Sequence, residues 1–348
     1  MHHFRLGTNL GLATLMVLPF PALSRDLPAV QTFALTDAKG LVERNIKVEA
    51  AEYKGRKAVR LTKNSTGDGL ALLPDTDFQD GTIEADLAMK AITPPGYRNP
   101  GFVGIAFRAR LDASHYELFY LRPGNSLATD QAMRNHSVQY SSEPDFNWYR
   151  LRREWPWVYE GYADLQPEVW THLKIEVQGR AAKLYLNGSQ KPSLAVDGLK
   201  GEDLHGAVGL WGYAGEECYF SNLSITPAAA QPVKNGTDPS GEWDLIVAAD
   251  TGPKTGGPLT GSLKLNRDGS KLTGVWSGSL GDSQPVAGTW RDGYVELSFA
   301  GVWPQDMREG APGPVTARLA GWFDGASAKG RMTVEGRTDG LWIAARRQ

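Results

Sequence analysis

From Thr32 to Ile225 the chain is built of short runs in which apolar and polar residues alternate with a period of two, separated by Gly, Asp, Asn and Pro. Successive side chains of a strand point to opposite faces, so this pattern predicts half-buried β-strands rather than helices. In "GTIEADLAMK" Ile83, Ala85, Leu87 and Met89 fall on one face, Glu84 and Asp86 on the other. "GFVGIAFRAR", "YELFYLR", "WTHLKIEV", "AAKLYLNG", "GAVGLWGY" and "CYFSNLSI" follow the same logic. Asn187-Gly188, two residues that tolerate positive φ, is expected to close a hairpin. With no amphipathic helix patterned between these runs, two antiparallel sheets packed face to face are predicted.

The stretch "TPAAAQPVKNGTDPSGEW", Thr226 to Trp243, has little to bury and is the expected linker. After it the alternation resumes as a meander, with turns expected at Asp268-Gly269, Asp292-Gly293, Asp324-Gly325 and Asp339-Gly340. An up-and-down barrel is the economical closure because it leaves no strand edge exposed. The reading is therefore all-β, with a sandwich over residues 30–228, a linker over 229–240 and a smaller antiparallel barrel-like domain over 241–348. The amino terminus breaks the pattern. His2, His3 and Arg5 precede an apolar run from Leu10 to Phe20 and then Pro21-Ala22-Leu23-Ser24, which predicts a removable signal peptide over residues 1–24 and an exported, periplasmic or extracellular protein. That run is too short to span a bilayer, which takes about 20 residues, and no membrane span is expected after signal removal.

Composition narrows the partners. The 348 residues are 41% hydrophobic and 22% charged, and the formal net charge is -2, so the chain has no global attraction for nucleic acid and none is expected as partner. The single cysteine, Cys218, has no internal disulfide partner, so stability must come from core burial; it reads as a small buried hydrophobe.

The segments "FQDGTIEADLAMK", "GFVGIAFRAR", "YELFYLRP", "WTHLKIEVQGRAAKLYLNG" and "GAVGLWGYAGEECYFSNLSI" resemble the concanavalin A-like lectin/glucanase superfamily over roughly residues 30 to 228. Within it they are most similar to laminin G-like modules and to the 3-keto-glycoside hydrolase type of domain of exported bacterial proteins. The resemblance implies a concanavalin A-like jelly-roll sandwich and a glycan-related role, without naming a substrate. The C-terminal part, with Gly241-Glu242-Trp243 and repeated Gly-x-Trp elements, is faintly similar to avidin- and lipocalin-type barrels.

The densest chemistry lies between Tyr120 and Tyr162, read as an insertion on the sandwich, where aromatic residues interleave with arginines. A sugar offers hydroxyls to hydrogen-bond and a C–H face to stack on, so its site needs planar polar groups beside aromatic rings. Arg122, Asn125, Asp130, Gln131, Arg134, Asn135, His136 and Gln139 are the candidate hydrogen-bonding residues, with Tyr140, Trp148 and Trp211 as stacking platforms for a carbohydrate ligand. The competing readings are that Trp148, Trp155 and Trp157 pack the loop, that Arg134 and Arg150 neutralise nearby carboxylates, and that His136 is a structural imidazole. A retaining glycosidase needs two carboxyls about 5 Å apart. The Glu-x-Asp-x-x-Glu strand of the glucanases to which the sandwich is similar becomes Glu84-Ala85-Asp86-Leu87-Ala88-Met89 here, with methionine in place of the second catalytic carboxylate. Glycoside or 3-keto-glycoside hydrolysis therefore stands as the alternative to simple binding, with Asp130, Glu143, Asp145, Glu154 and Glu160 as further carboxylates. A cell-envelope protein-interaction module is the third reading. Asp75, Asp77 and Asp80 in "PDTDFQDG" are the candidate ligands of a structural calcium, as the similarity to laminin G-like modules implies; the alternative is an Asp-rich turn entering a strand.

Overall fold

A computed structural model describes residues 29–63, 67–92, 99–229, 237–249, 254, 257–291, 293–308 and 310–348. The expected signal peptide over 1–24 and residues 230–236 of the expected linker lie outside these. Among the described residues no helix is long and apolar enough to cross a membrane.

The fold is all-β, as the alternation requires. One sheet has the order Leu194–Val196, Ala181–Leu186, Thr171–Gln178, Gly81–Ala91, Glu216–Pro227, Arg56–Thr62, Lys47–Tyr53, with Gln31–Phe33 also pairing along Glu216–Pro227. The other has the order Glu160–Gly161, Val138–Glu143, Tyr116–Leu121, Val103–Ala109, Gly206–Tyr213, Asp68–Phe78, Val42–Arg44. Their inner faces enclose a common core that includes Val59, Ile83, Leu87, Ile105, Phe107, Phe119, Tyr140, Ile175 and Phe220. The two packed antiparallel sheets form a β-sandwich, as the alternation predicts. Asn187 and Gly188 both adopt positive φ after Ala181–Leu186, as their side chains allow. Glu84 and Asp86 occupy a polar outer face, where Asp86 pairs with Arg56 at 2.7 Å and with His172 at 3.0 Å.

Eight strands from Gly241–Ala249 to Thr338–Arg346 pair in sequence and close into a barrel. Period-two burial along Gly241–Ala249 points Trp243, Leu245 and Val247 inward. Fully buried Trp243, Trp276 and Trp303 lie in that interior together with Phe299 and Trp342. One expected turn is corrected. Asp339-Gly340 lies inside the last strand, where Asp339 bonds Arg331, and the chain reverses instead around Gly336, at positive φ.

A second correction concerns residues 120–162. The stretch is no simple insertion, because Val138–Glu143 is a full member of the second sheet, pairing with Tyr116–Leu121 from Leu121↔Val138 to Tyr116↔Glu143. What is added to the sheet is three short helices, Pro123–Ser126, Gln131–Arg134 and Trp148–Glu154.

The barrel docks on the sandwich through Tyr294 and Ala320, which belong to the sandwich's own core cluster. Lys200, fully buried and with its ammonium pushed toward neutrality by desolvation, ion-pairs with Glu296 of the barrel and lies over the rings of Trp155, Tyr159 and Tyr294. Trp322 Nε1 donates to the Asp197 carbonyl at 3.2 Å. The approach is so close at Gly198 that a Cβ there would stand 2.1 Å from the Tyr294 hydroxyl. Gly198→Val is expected to push the barrel away and cost about 1–3 kcal/mol, as overpacking does. Calorimetry should then resolve a destabilised or separate barrel transition; an unchanged single transition would contradict this docking.

Candidate functional site

The central strands of the second sheet are buried on both faces. Tyr116–Leu121 and Val103–Ala109 are buried at every position. Phe119 and Leu121 face the core between the sheets, so Tyr116, Leu118, Tyr120 and the following Arg122 project from the opposite side. There, with Leu70, Leu72, Ala106 and Trp211, they form a second apolar layer. Gly104 opposes Tyr120 in the ladder, and a Cβ on it would stand 2.7 Å from Tyr120 Cβ, so glycine lets the tyrosine settle onto the sheet.

Over this layer lies a cavity of about 330 Å³, whose lining includes Phe102, Tyr120, Arg122, His136, Trp148 and Trp211. Its floor is aromatic: Trp211 stands 5.1 Å from Tyr120 and 6.5 Å from Phe102, centroid to centroid. Its roof comes from Trp148–Glu154. Asn147 caps that helix by accepting from Arg150 N at 3.0 Å, and buried Leu151 and Trp155 anchor it to the core. Trp148 and Arg152, four residues apart, consequently share the helix face toward the cavity. Trp148 keeps 42% of its surface exposed, with the guanidinium groups of Arg122 and Arg152 5.6 and 4.9 Å from its ring.

The polar groups are held from several strands. Arg122 Nη2 donates to the Tyr120 hydroxyl at 2.6 Å and to Gln139 Oε1 at 2.7 Å. Gln139 stands in register with Tyr120 on one side and Glu160 on the other. Glu160 takes a two-pronged ion pair from Arg152, with Nη2 to Oε2 at 2.6 Å. His136 Nδ1 lies 2.8 Å from Glu160 Oε2 without hydrogen-bond alignment, and its ring stacks on Trp157. Burial holds the His136 imidazole below its ordinary pKa, with Glu160 opposing, so it tends to be neutral. Asn125 Nδ2 fixes the His136 carbonyl at 3.0 Å.

Two carboxyls also line the cavity. Asp68 accepts from the Tyr116 hydroxyl at 2.6 Å. Glu143, opposite Tyr116 in the ladder, is pushed up to about 7 by burial first and by the charge of Asp68 second.

Of the residues singled out in the sequence, Arg122, Asn125, His136, Trp148 and Trp211 line this cavity, and Gln139 orients Arg122. Asp130, Gln131, Arg134 and Asn135 tie a short helix to its own loop. Asp130 caps Gln131–Arg134 by accepting from Ala132 N at 2.8 Å. Gln131 donates to Asn135 at 2.7 Å, and Arg134 bonds the carbonyls of Ala128 and Thr129 at 2.6 and 3.0 Å. Tyr140 is a correction: the strand's alternation turns it to the inner face, where its hydroxyl donates to Glu117 and accepts from Lys200 N at 2.6 Å, so it is no stacking platform. The calcium candidates are a second correction. Asp75 is exposed, Asp77 pairs with His205 at 2.7 Å, and Asp80 is buried against Arg108 at 3.2 Å; no trio of His, Cys, Asp or Glu among the described residues is placed to hold a metal. Tyr120, Phe102, Asp68 and Arg152 were not among the candidates. The alternation of "YELFYLR", which puts Tyr116, Leu118, Tyr120 and Arg122 on one side, is the signal that points to Tyr120.

The raised carboxyls make stability pH-dependent. Glu143 shifts from the ordinary 4.5 to about 7, and Glu216, buried elsewhere in the sandwich, to about 8. Between the ordinary and the raised values the folded protein keeps a proton that the unfolded chain has released, so stability falls as pH rises through that window. His136, held low, acts oppositely below its ordinary 6.5. Glu143→Gln should therefore flatten the decline of Tm with rising pH between about 5 and 8; identical slopes for wild type and variant would contradict the burial assigned to Glu143.

No family model matches the chain. No curated protein matches it in sequence. Among solved structures it is similar to the carbohydrate-binding module CBM66 from Bacillus subtilis, at 18% identity over 54% of this chain and 96% of that one, with a TM-score of 0.38. It is similar also to a Bacillus subtilis protein of unknown function with a galectin-like fold, at 13% identity over 59% and 99% of the two chains, TM-score 0.41. A third similarity is to the lectin UEA-II complexed with galactose, at 10% identity over 58% and 99%, TM-score 0.39.

Proposed function

We propose that the cavity beneath Trp148 is a carbohydrate-binding site of an exported protein. The observation that carries this reading is the convergence, in one cavity, of an aromatic floor (Phe102, Tyr120, Trp211), a half-exposed aromatic roof (Trp148) and planar hydrogen-bonding groups (Arg122, Asn125, His136, Arg152). Rings supply a surface for the C–H face of a pyranose, and amide, imidazole and guanidinium groups supply partners for its hydroxyls. The cavity's size lies at the lower end of the range for small-molecule sites, which suits one or a few sugar units. Burial of the sheet beneath it pre-organises the floor, so little ordering entropy is left for the ligand to overcome. Export is supported by the charged, apolar and small-residue segments that follow one another over residues 1–24.

Hydrolysis is the second reading, and Glu143 favours it. A glycosidase needs a carboxyl that is protonated near its working pH beside a second carboxyl, and Glu143, at about 7, shares the cavity lining with Asp68.

Calorimetric titration against a panel of oligosaccharides is expected to give binding that weakens about tenfold or more in Trp148→Ala, through loss of stacking. Absence of binding by any saccharide at millimolar concentration would overturn the proposal. If the site also hydrolyses, reducing ends will appear from a bound saccharide and vanish in Glu143→Gln while binding persists; binding without release leaves the lectin reading alone.

A further inference from the structure

Arg122 is an unusual arginine. Only 6% of its surface is exposed, yet among the described residues no carboxylate oxygen lies within ion-pairing distance of it. The other deeply buried arginine of this sheet, Arg108, does have such partners, Asp80 at 3.2 Å and Glu117 at 3.8 Å. Arg122 instead has two neutral acceptors, the Tyr120 hydroxyl and Gln139 Oε1, and both bonds come from Nη2. Its Nε is buried with no hydrogen-bond partner, and Nη1 bonds to nothing among the described residues. The rings of Phe102, Tyr120 and Trp148, at 5.5, 5.1 and 5.6 Å, surround the guanidinium with π-faces that attract a cation but cannot accept along the N–H directions. Burying a cation is costly unless a charge or hydrogen bonds compensate it.

The neighbouring charges leave this one uncompensated. Arg152 and Glu160 neutralise each other through their two-pronged pair, and His136, held low by burial, tends to be neutral. The other acids lining the cavity, Asp68 and Glu143, make no ion pair with Arg122. Glu143 is four residues along the strand from Gln139, on the order of 13 Å of strand rise.

We infer that the saccharide recognised here is acidic, a uronate-type sugar whose carboxylate is received by Arg122 beneath Trp148. The inference rests on the saccharide reading and adds the charge of the ligand to it. With Nη2 committed to Tyr120 and Gln139 and Nε buried, Nη1 is the donor left for a ligand, and a charge-assisted bond from it to a carboxylate oxygen is stronger than one to a neutral hydroxyl. Gln139 and Tyr120 lock the orientation, so the carboxylate meets a donor set already in place. The aromatic floor and Trp148 then take the C–H faces of the ring that carries it.

The test compares a galacturonate or glucuronate trisaccharide with its carboxyl-reduced neutral counterpart, which differs only at C6, by calorimetric titration at low ionic strength. The wild-type protein is expected to favour the uronate by about tenfold or more, with a preference that shrinks as salt is added. Arg122→Gln should abolish the preference. Arg122→Lys, which keeps the charge and loses the fixed guanidinium donors, should retain only part of it. Equal affinity of wild type for the two trisaccharides, or tighter binding of the neutral one, overturns the acidic-ligand inference and leaves the saccharide site standing. Binding of neither overturns the acidic-ligand inference, and the oligosaccharide panel then decides the saccharide site. The wild-type comparison needs no variant, so a substitution that impairs folding does not blunt it.

Discussion

The central strands of the sandwich's second sheet are buried on both faces, and the rest of the molecule is arranged around that constraint. A sheet with one wet face can leave its polar side chains to water; one buried twice has to satisfy every charge and donor internally. On the inner side Arg108 and Glu117 are both almost fully buried, and Tyr140 closes onto Glu117 while accepting from the backbone of Lys200. Desolvation raises the pKa of Glu117, and the charge of Arg108 opposes the rise. Lys200 then reaches Glu296, so the network that compensates the sheet's buried charge also holds the barrel.

The outer side solves the same problem differently. There an aromatic layer covers the strands and three short helices cover the aromatic layer, leaving a cavity between. Most polar groups facing it are paired: Arg152 with Glu160, Asn125 with the His136 backbone, Tyr116 with Asp68. Arg122 is bonded only to neutral oxygens. A buried network with one incomplete member is costly as pure structure, and such departures from local consistency gather at binding sites. The same logic separates His136, which faces the cavity, from Arg134 two residues earlier, whose donors are used up on the loop.

Much of the architecture was legible in the chain. Period-two alternation predicted the strands, and turns such as Asp268-Gly269 and Asp324-Gly325 after Trp243 predicted the meander that closes as a barrel. The candidate site was legible in part. The unusual density of arginine and aromatic residues marked the right region, but density does not say which side of the sheet a residue takes. Tyr140 and Gln139 are adjacent and were treated alike; a strand turns neighbours to opposite faces, so one entered the core and the other the binding side. Asp339-Gly340 misled for a similar reason, since a turn dipeptide is also tolerated within a strand when register demands it.

What the sequence by itself determined was local: the two-residue period, the turns with residues suited to positive φ, the absence of helical periodicity, and the concentration of planar polar and aromatic groups between Tyr120 and Tyr162. What only the tertiary structure decided was which of these groups meet. Phe102, the pair Tyr120 and Arg122, Trp148 and Trp211 come from separate stretches of chain, and strand order, register and the placing of one seven-residue helix bring them to one cavity. Whether a buried arginine finds a carboxylate depends on those long-range pairings. The sequence offered acids on every side of Arg122, and the fold put none of the described ones within reach.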